Sequence, residues 1–414
     1  MSLNERASDP TASTPDLTAS AQAARSAPTT APADVAAEAV TGVQAGLVTA
    51  PRRGNAPLIL GIIGVVLGSL VALLVLAYLV VGLGGDAFAL GGVMALIPLA
   101  IVFFGVRWID RWEPEPRLAV VFAFLWGSAV AVAIALLVGA EIDNVVASLG
   151  GPGPGYELFS AAIQAPIVEE TGKGLGLLII FLAARRYFDG PVDGVVYAAW
   201  VAGGFAFTEN ILYFGGQLLD SGGIDGNLVE IFVLRGVLSP FAHVMFTAAT
   251  GIALGFAARS RNPLAGFGLF LLGLIPAILL HGLWNGALFF VDNFYGYYVL
   301  VQVPLFLMAV LLVLFLRRQE AKLTHDRLVE YAKAGWFAPD EVVALATPAG
   351  RQQALAWAAR NGKRRQMKRY IQDATRLAFA RQRIITGRGR IGAEADEAAL
   401  LGAIIESRKN LVAA

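Results

Sequence analysis

Residues 156–183 read YELFSAAIQAPIVEETGKGLGLLIIFLA, an apolar stretch that carries Glu169, Glu170 and Lys173 in its middle. An ionised carboxylate at the centre of a membrane-spanning helix costs about 2.5–3.5 kcal/mol on insertion scales. Three charged positions so close together therefore predict a chemical site inside a membrane helix, and this stretch decides how the rest of the chain is interpreted.

The composition is that of a polytopic membrane protein. Hydrophobic residues make up 57% of the 414 residues and charged residues only 15%, and the mean hydropathy is +0.64. A soluble domain of this size carries about a quarter charged residues. The chain has no cysteine, which excludes disulfides, thiolate nucleophiles and cysteine-ligated zinc or iron–sulfur sites.

Eight apolar segments have the length of about 20 residues that a bilayer core of about 30 Å requires. The sequence thus predicts an all-α fold, a polytopic membrane helix bundle of about eight transmembrane helices. The predicted segments are 57–83, 88–107, 117–138, 157–183, 192–215, 235–258, 264–289 and 297–316.

The connections between these segments alternate in charge. The loops around 84–87, 139–156, 216–234 and 290–296 contain no Lys or Arg. The opposite side has basic residues at every connection, namely Arg52, Arg53, Arg107, Arg111, Arg117, Arg185, Arg186, Arg259 and Arg261, and also the C-terminal region. The positive-inside rule then places both termini in the cytoplasm.

Two tails flank the predicted transmembrane domain, residues 56–316. Residues 1–55 are rich in Ala, Ser, Thr and Pro, and this composition predicts a disordered cytoplasmic tail. Residues 317–414 hold nineteen Lys and Arg against ten Asp and Glu. We expect this region to be a small helical cytoplasmic unit with a solvated basic face, which could also contact anionic lipid headgroups. No nucleic-acid partner is expected.

Other apolar segments carry polar residues at a matching depth. Counting from the helix ends at 1.5 Å per residue, the Glu169, Glu209, His243 and His281 positions fall within about 9–18 Å of the extracytoplasmic boundary. Asn285 shares a helix face with His281, as Lys173 does with Glu169. Four segments that place costly polar groups at one depth predict a shared, water-accessible pocket.

Each of these residues also has an ordinary structural interpretation. A lone membrane histidine can be a packing residue, a Glu–Lys pair can be a buried ion pair, and Asn285 can bridge two helices. The combination of all of them favours a functional site. The chain lacks the HExxH motif of zinc proteases and paired aspartates within its spans. It also lacks a Gly-x-Ser-Gly nucleophile turn, so a serine mechanism is not expected.

The polar residues form motifs that resemble those of the PrsW family of bacterial intramembrane proteases, part of the wider group of CAAX endopeptidases and bacteriocin-immunity-type proteases. The resemblance covers roughly residues 90–300. The matching residues are Glu169-Glu170-x-x-Lys173, Phe205-x-x-x-Glu209-Asn210, His243, His281 with Asn285, and the run DRWEPEP at Asp110–Pro116.

The resemblance implies a protease of the bacterial inner (plasma) membrane. Its substrate would be a single-pass membrane protein cut near the extracytoplasmic face, in the type members an anti-sigma factor.

We expect Glu169 or Glu170 to be the general base, held by Lys173. His243, His281 and Glu209 would bind Zn²⁺, which lowers the pKa of bound water, and Asn285 would orient His281 or donate to the oxyanion. In a version without metal, Glu activates water directly while His and Asn stabilise the oxyanion.

Two rival functions remain open from the sequence. Membrane carboxylates, histidines and proline-broken helices also suit a proton-coupled transporter or channel, although the hydropathy shows no pair of inverted halves. A non-catalytic membrane scaffold on a protease-like fold is the third possibility.

Overall fold

The computed structural model of the chain describes residues 56–185, 187–260, 264–387 and 392–412, and within these ranges every regular element is a helix. This confirms the all-α prediction. The predicted disordered tail, residues 1–55, lies outside the described residues.

Nine helices build the bundle and its connections. They are α1 (Ala56–Leu83), α2 (Gly85–Ile109), α3 (Arg117–Ser148), α4 (residues 156–183), α5 (Pro191–Ser221), α6 (Gly226–Phe232, continued by a π-helical turn at Val233–Leu238), α7 (Ala242–Ala258), α8 (Leu264–Ala287) and α9 (Phe294–Lys333). Four further helices follow, α10 (Pro339–Ala346), α11 (Pro348–Arg360), α12 (Arg364–Ile385) and α13 (Ala393–Val412).

Seven of the described helices are long and apolar enough to cross a membrane, with α6 and α7 together forming one of them. Helix α4 is the eighth predicted span. Its composition sets it apart, because Glu169, Glu170 and Lys173 lie in the middle of its α-helical part, Ala165–Ala183. The seven candidate spans agree with the expected bundle of about eight membrane helices, and α4 is a helix that is not among the seven.

Helix α5 is the most buried of the candidate spans, and glycines allow its neighbours to approach it closely. A Cβ atom on Gly127 of α3 would lie 1.8 Å from the Val201 carbonyl oxygen of α5. A Cβ on Gly194 of α5 would likewise lie 1.9 Å from the Gly251 carbonyl oxygen of α7. These backbone-to-backbone contacts fix α5 at the centre of the bundle.

Helix α4 packs against α3 beside its charged residues. The Trp126 indole Nε1 donates to the Gly172 carbonyl at 2.9 Å, and a Cβ on Gly176 would lie 2.3 Å from the same indole ring. Small residues around Lys173 thus let a large aromatic ring cover this face of α4.

The span formed by α6 and α7 is broken at residues 239–241. Ser239 leaves the helical conformation (φ −128°, ψ 35°) just before Pro240, and α7 begins at Ala242. Proline lacks a backbone N–H and clashes with the preceding turn, which explains the break at this point. His243 is consequently in the first turn of α7.

Helix α9 continues through the predicted domain boundary at residue 317 as one helix from Val303 to Lys333. Helices α10 to α13 then fold back on its end around a separate apolar core. Its fully buried members include Leu328, Ala358, Ala374, Leu377, Ala378 and Ile404.

Candidate active site

Lys173 is at the centre of a polar cluster inside the bundle. Its side chain is 0% exposed, and Nζ lies 2.8 Å from Glu170 Oε1 and 3.2 Å from Glu169 Oε2. The same nitrogen lies 3.1 Å from His243 Nδ1 and 3.9 Å from the centre of the Phe205 ring. One buried cation thus joins α4, α5 and α7, and its contact with Phe205 is a cation–π interaction.

Glu170 is enclosed by partners on both carboxylate oxygens. Oε1 accepts from Lys173 and lies 3.1 Å from His281 Nδ1, while Oε2 accepts from the Thr247 hydroxyl at 2.7 Å. The side chain is 0% exposed. Glu170 therefore holds Lys173, His281 and Thr247 together and has no exposed face for a substrate.

Glu169 has a different environment although it is the adjacent residue. Its side chain is 12% exposed, and Oε2 lies 3.9 Å from His281 Nε2. Consecutive residues on a helix point about 100° apart, which turns Glu169 away from the closed side of the cluster. Of the two glutamates, Glu169 is the one that water can reach.

The hydrogen-bond partners of His243 determine its protonation pattern. An ammonium group has only donors, so His243 Nδ1 must accept from Lys173 Nζ. His243 Nε2 lies 2.9 Å from Glu209 Oε2, and a carboxylate can only accept a hydrogen bond there. The neutral ring with its hydrogen on Nε2 satisfies both contacts.

Arg235 of α6 is a site residue that none of the sequence motifs predicts. Its Nη2 donates to Glu209 Oε2 at 2.5 Å, and its Nε donates to Asn210 Oδ1 at 2.9 Å. The guanidinium also lies 3.9 Å from the centre of the Tyr213 ring. The sequence did contain a signal for this residue, because Arg235 borders a predicted extracytoplasmic loop and those loops contain no Lys or Arg.

Aromatic rings enclose the two histidines. The His243 and His281 rings are 5.0 Å apart and nearly perpendicular, and Phe246 stacks on His281 at 5.0 Å. Phe205 lies 5.7 Å from His243 on the other side. This apolar lining limits the number of water molecules that share the cluster and strengthens the electrostatic interactions within it.

One group of three residues in the described part of the chain could hold a metal ion, namely Glu169, His243 and His281, whose ligand atoms all lie within 4.8 Å of one another. The predicted zinc set of His243, His281 and Glu209 therefore differs from it in the carboxylate. Glu209 instead contacts Arg235 and the outer nitrogen of His243.

Two histidines and a carboxylate are ligands that zinc binds in proteins, so the three residues are suitable in type and number to hold a zinc ion. The contacts of His243 argue against metal binding at that residue. Both nitrogens of His243 already have partners, Lys173 and Glu209. A metal bound there would have to displace one of them.

Asn285 lies apart from the polar cluster's hydrogen bonds. Its Nδ2 donates to the Ala161 carbonyl in the π-helical turn of α4 at 2.9 Å. A Cβ on the nearby Gly282 would lie 2.6 Å from the Ala162 carbonyl oxygen, so α8 and α4 are in close contact here. Asn285 therefore bridges α8 and α4. Its predicted role in orienting His281 or donating to the oxyanion stays a prediction.

A cavity reaches the cluster beside the break between α6 and α7. Its lining includes Arg235, Ser239, Pro240, His243 and Trp284. The cavity therefore borders the polar cluster at His243 and Arg235. The fold and the cluster together define a multi-pass membrane protein with a buried acid–base centre.

Comparisons with known proteins specify this class further. A model of the PrsW family intramembrane metalloproteases matches residues 115–322, which include the whole cluster. The chain is 32% identical over 197 residues to "Protease PrsW" of Clostridioides difficile (strain 630), covering 46% of this chain and 76% of that protein.

Two further relatives give the same result. "Protease PrsW" of Geobacillus kaustophilus (strain HTA426) is 31% identical over 194 residues, covering 46% of this chain and 75% of the relative. The Bacillus subtilis (strain 168) protein of that name is 29% identical over 189 residues, covering 45% and 78%. No solved structure matches the chain. The chain belongs to the PrsW family of intramembrane proteases, which confirms the resemblance and favours an enzyme over the transporter and the scaffold.

Proposed function

We propose that this protease hydrolyses a peptide bond of a membrane-anchored protein near the extracytoplasmic face, with a water molecule activated by glutamate. The observation that carries the proposal is the convergence of side chains from three helices on Lys173 and Glu170. Glu169 and Glu170 come from α4, His243 from α7 and His281 from α8, with contacts of 2.8–3.9 Å between them.

Glu169 is the proposed general base. Its carboxylate takes a proton from water while the oxygen attacks the peptide carbonyl carbon, and the same proton then passes to the leaving nitrogen as the C–N bond breaks. General acid–base catalysis of this kind contributes about 10²–10⁴-fold to a rate. The partial exposure of Glu169, against the full burial of Glu170, supports this assignment.

His281 and Lys173 supply the opposite charge. Glu170 accepts from His281 Nδ1 and thereby orients the ring, so that Nε2 is directed toward Glu169. With the Nδ1 hydrogen donated to Glu170, only the imidazolium form of His281 also has a hydrogen on Nε2. In that form the ring, together with the nearby ammonium of Lys173, would stabilise negative charge on the carbonyl oxygen. Losing one such donor typically costs about 10²–10³-fold in rate.

A metal ion is the second version of the mechanism. Zn²⁺ on Glu169, His243 and His281 would polarise the carbonyl and lower the pKa of bound water toward about 7. The two hydrogen bonds of His243 support the version without metal.

Metal analysis separates these versions. We expect active, purified protein to contain no stoichiometric metal by mass spectrometry and to keep its activity after dialysis against 1,10-phenanthroline. Loss of cleavage on chelation, restored by adding Zn²⁺, would contradict the metal-independent mechanism.

The proposed substrate is a single-pass membrane protein, and the type members of the family make an anti-sigma factor the first candidate. The proposed orientation, with both termini in the cytoplasm, places the cluster toward the outer leaflet. Cleavage there would separate an extracytoplasmic domain from its membrane anchor.

A cleavage assay with tagged single-pass substrates tests the function. Glu169→Gln should lower the rate at least about 100-fold without lowering the melting temperature, whereas Glu170→Gln should lower both. Glu157→Gln is the matched control, because Glu157 lies on the same stretch of α4 and is exposed. Wild-type cleavage by Glu169→Gln would refute the assigned base, and solute flux in liposomes without any cleavage would favour the transporter.

A further inference from the structure

The C-terminal unit, defined here as α10 to α13, lies beyond the matched family region, which ends at residue 322. It nevertheless contacts the membrane bundle through two arginines. Both contacts are at the end of the bundle where the α2–α3 loop (residues 110–116) meets the beginning of α5. This is the end that we propose to be cytoplasmic.

Arg351 of α11 makes the first contact, through hydrogen bonds and a stacked aromatic ring. Its Nη1 donates to the Trp112 carbonyl in the α2–α3 loop at 2.9 Å, and its guanidinium lies 3.4 Å from the centre of the Trp112 ring. Its Nε and Nη2 donate at 2.6 Å to the Leu345 carbonyl and the Thr375 hydroxyl inside the C-terminal unit. One 8% exposed side chain thus links the unit to the loop.

The α2–α3 loop is in turn fixed to α5. Glu115 Oε2 accepts from the Tyr197 hydroxyl of α5 at 2.5 Å. Both residues are buried. The loop also closes on itself, because the Glu115 backbone N–H donates to Asp110 Oδ1 at 3.0 Å.

Arg383 of α12 makes the second contact, with the residue that lies two positions before the start of α5. Its Nη1 lies 2.7 Å from Asp189 Oδ2. Asp193 Oδ2 accepts from the backbone N–H groups of Asp189 and Gly190 at 2.6 and 2.8 Å, which holds the entry into the helix. Arg383 therefore binds the segment that starts α5.

Helix α5 extends from these contacts to the polar cluster. Glu209 follows Asp193 by sixteen residues on the same helix, a distance of about 24 Å at 1.5 Å per residue. The glycine contacts with α3 and α7 lie between these points. A shift at its first turn would therefore be transmitted along the helix axis to Glu209.

We propose that the C-terminal unit is a clamp in which Arg351 and Arg383 act as positioning residues for α5, and so keep Glu209 in register with His243 and Arg235. The catalytic part of this inference rests on the proposed function. The structural part, the coupling of the unit to α5, stands without it.

The electrostatics of this region explain why arginines form the clamp. Burial raises the pKa of both the Glu113 and the Glu115 carboxyls well above the ordinary value, and the neighbouring Asp193 raises both further. Arg383 lowers the pKa of Glu113. Removing Arg383 would therefore raise the pKa of Glu113 further and favour its neutral form, which weakens the electrostatic attraction between the loop and the C-terminal unit.

Hydrogen–deuterium exchange on the full-length protein tests the structural part. Arg351→Gln and Arg383→Gln should speed exchange of backbone amides in residues 110–116, 188–196 and 205–213. The matched controls are Arg360→Gln on α11 and Arg369→Gln on α12, both exposed on the same helices, and they should exchange like the wild type. Unchanged exchange at 188–196 and 205–213 in both arginine variants would overturn the clamp.

Cleavage kinetics test the positioning role. Each glutamine variant should lose about tenfold in kcat while KM stays within about twofold, since Glu209 is displaced without loss of the substrate site. Arg383→Lys should keep most of the wild-type kcat because it keeps a positive charge beside Asp189. Arg351→Lys should not, because lysine cannot stack and donate in three directions. Normal kcat with fast exchange at 188–196 would also overturn the proposal. If the wild type cleaves nothing, the proposed function fails while the exchange result still decides the coupling.

Discussion

Adjacent residues with the same chemistry have different roles in this site. Glu170 has three hydrogen-bonding partners and no exposure, while Glu169 faces His281 Nε2 across 3.9 Å with part of its carboxylate exposed. The sequence predicts both as candidate bases, and it cannot separate them, because the difference depends on which side of α4 meets α7 and α8.

Lys173 allows a test of the cluster by a double-variant cycle. Lys173→Met should destabilise the protein by about 3–5 kcal/mol, the usual cost of removing one partner from a buried ion pair. Adding Glu170→Gln to it should recover part of this loss, because the second variant removes a carboxylate that has lost its partner. Cleavage should remain absent in both.

Thermal unfolding and cleavage rates of the two single variants and the double variant give the coupling free energy. If the two substitutions are simply additive, Lys173 does not act through Glu170. Wild-type cleavage by Lys173→Met would remove Lys173 from the site altogether.

Two residues of the site lie outside the sequence prediction for physical reasons. Arg235 is at the predicted edge of a span, where an arginine usually reaches water, and only the approach of α6 to α5 directs it to Glu209. Thr247 follows His243 by four residues and so shares its helix face. That spacing was an available signal, but a threonine in an apolar helix is common, and its bond to Glu170 is visible only in three dimensions.

At the scale of the helices, the length of each apolar segment predicts where a helix lies, whereas contacts with neighbouring helices determine its irregular turns. All eight predicted spans correspond to helices. The π-helical turns at Trp126–Ala131, Ser160–Gln164, Val233–Leu238 and Tyr298–Gln302 were not predicted. Their hydrogen bonds differ from those of an α-helix by one residue, and packing against neighbours rather than local propensity selects them.

The glycine contacts of α5 make a prediction about stability. Gly194→Ala would place a methyl group 1.9 Å from the Gly251 carbonyl oxygen, so α5 and α7 must separate. Overpacking of this kind costs about 1–3 kcal/mol. We therefore expect a lower melting temperature and weaker cleavage, since these helices carry Glu209 and His243.

Gly216→Ala is the control on the same helix. A Cβ there meets nothing within 4 Å, and alanine has the higher helix propensity by about 1 kcal/mol. Its melting temperature should equal or exceed that of the wild type in a thermal scan. Equal stability of the two variants would show that the α5–α7 contact is not tight.

At the scale of the whole molecule, composition predicts a basic helical region after the last span but not its attachment. Most of its basic residues are exposed, as expected for a solvated face. Arg351 is buried instead, against Trp112, which is 239 residues earlier in the chain. No local pattern distinguishes this arginine from its exposed neighbours, because the contact depends on how α9 directs the unit back to the bundle.

The orientation of the whole chain can be tested with single cysteines, since the chain has none. Ile224→Cys, 71% exposed in the connection after α5, should react with a membrane-impermeant maleimide on intact bacterial cells. Gln353→Cys on α11, also exposed, should react only after permeabilisation. The reverse pattern would invert the proposed topology and place the polar cluster toward the inner leaflet.

Helix α9 is longer than a bilayer core is thick, and this length has a mechanical consequence. From Val303 to Lys333 it is one rod of 31 residues, about 46 Å long against a hydrocarbon core of about 30 Å. Its far end is bound to α12 through Arg327 to Gln382 and Glu330 to Arg381. Spanning helices change tilt with bilayer thickness, and a tilt of about 5° would move that end by about 4 Å. A change in bilayer thickness would thereby displace the helix end to which α12 is attached.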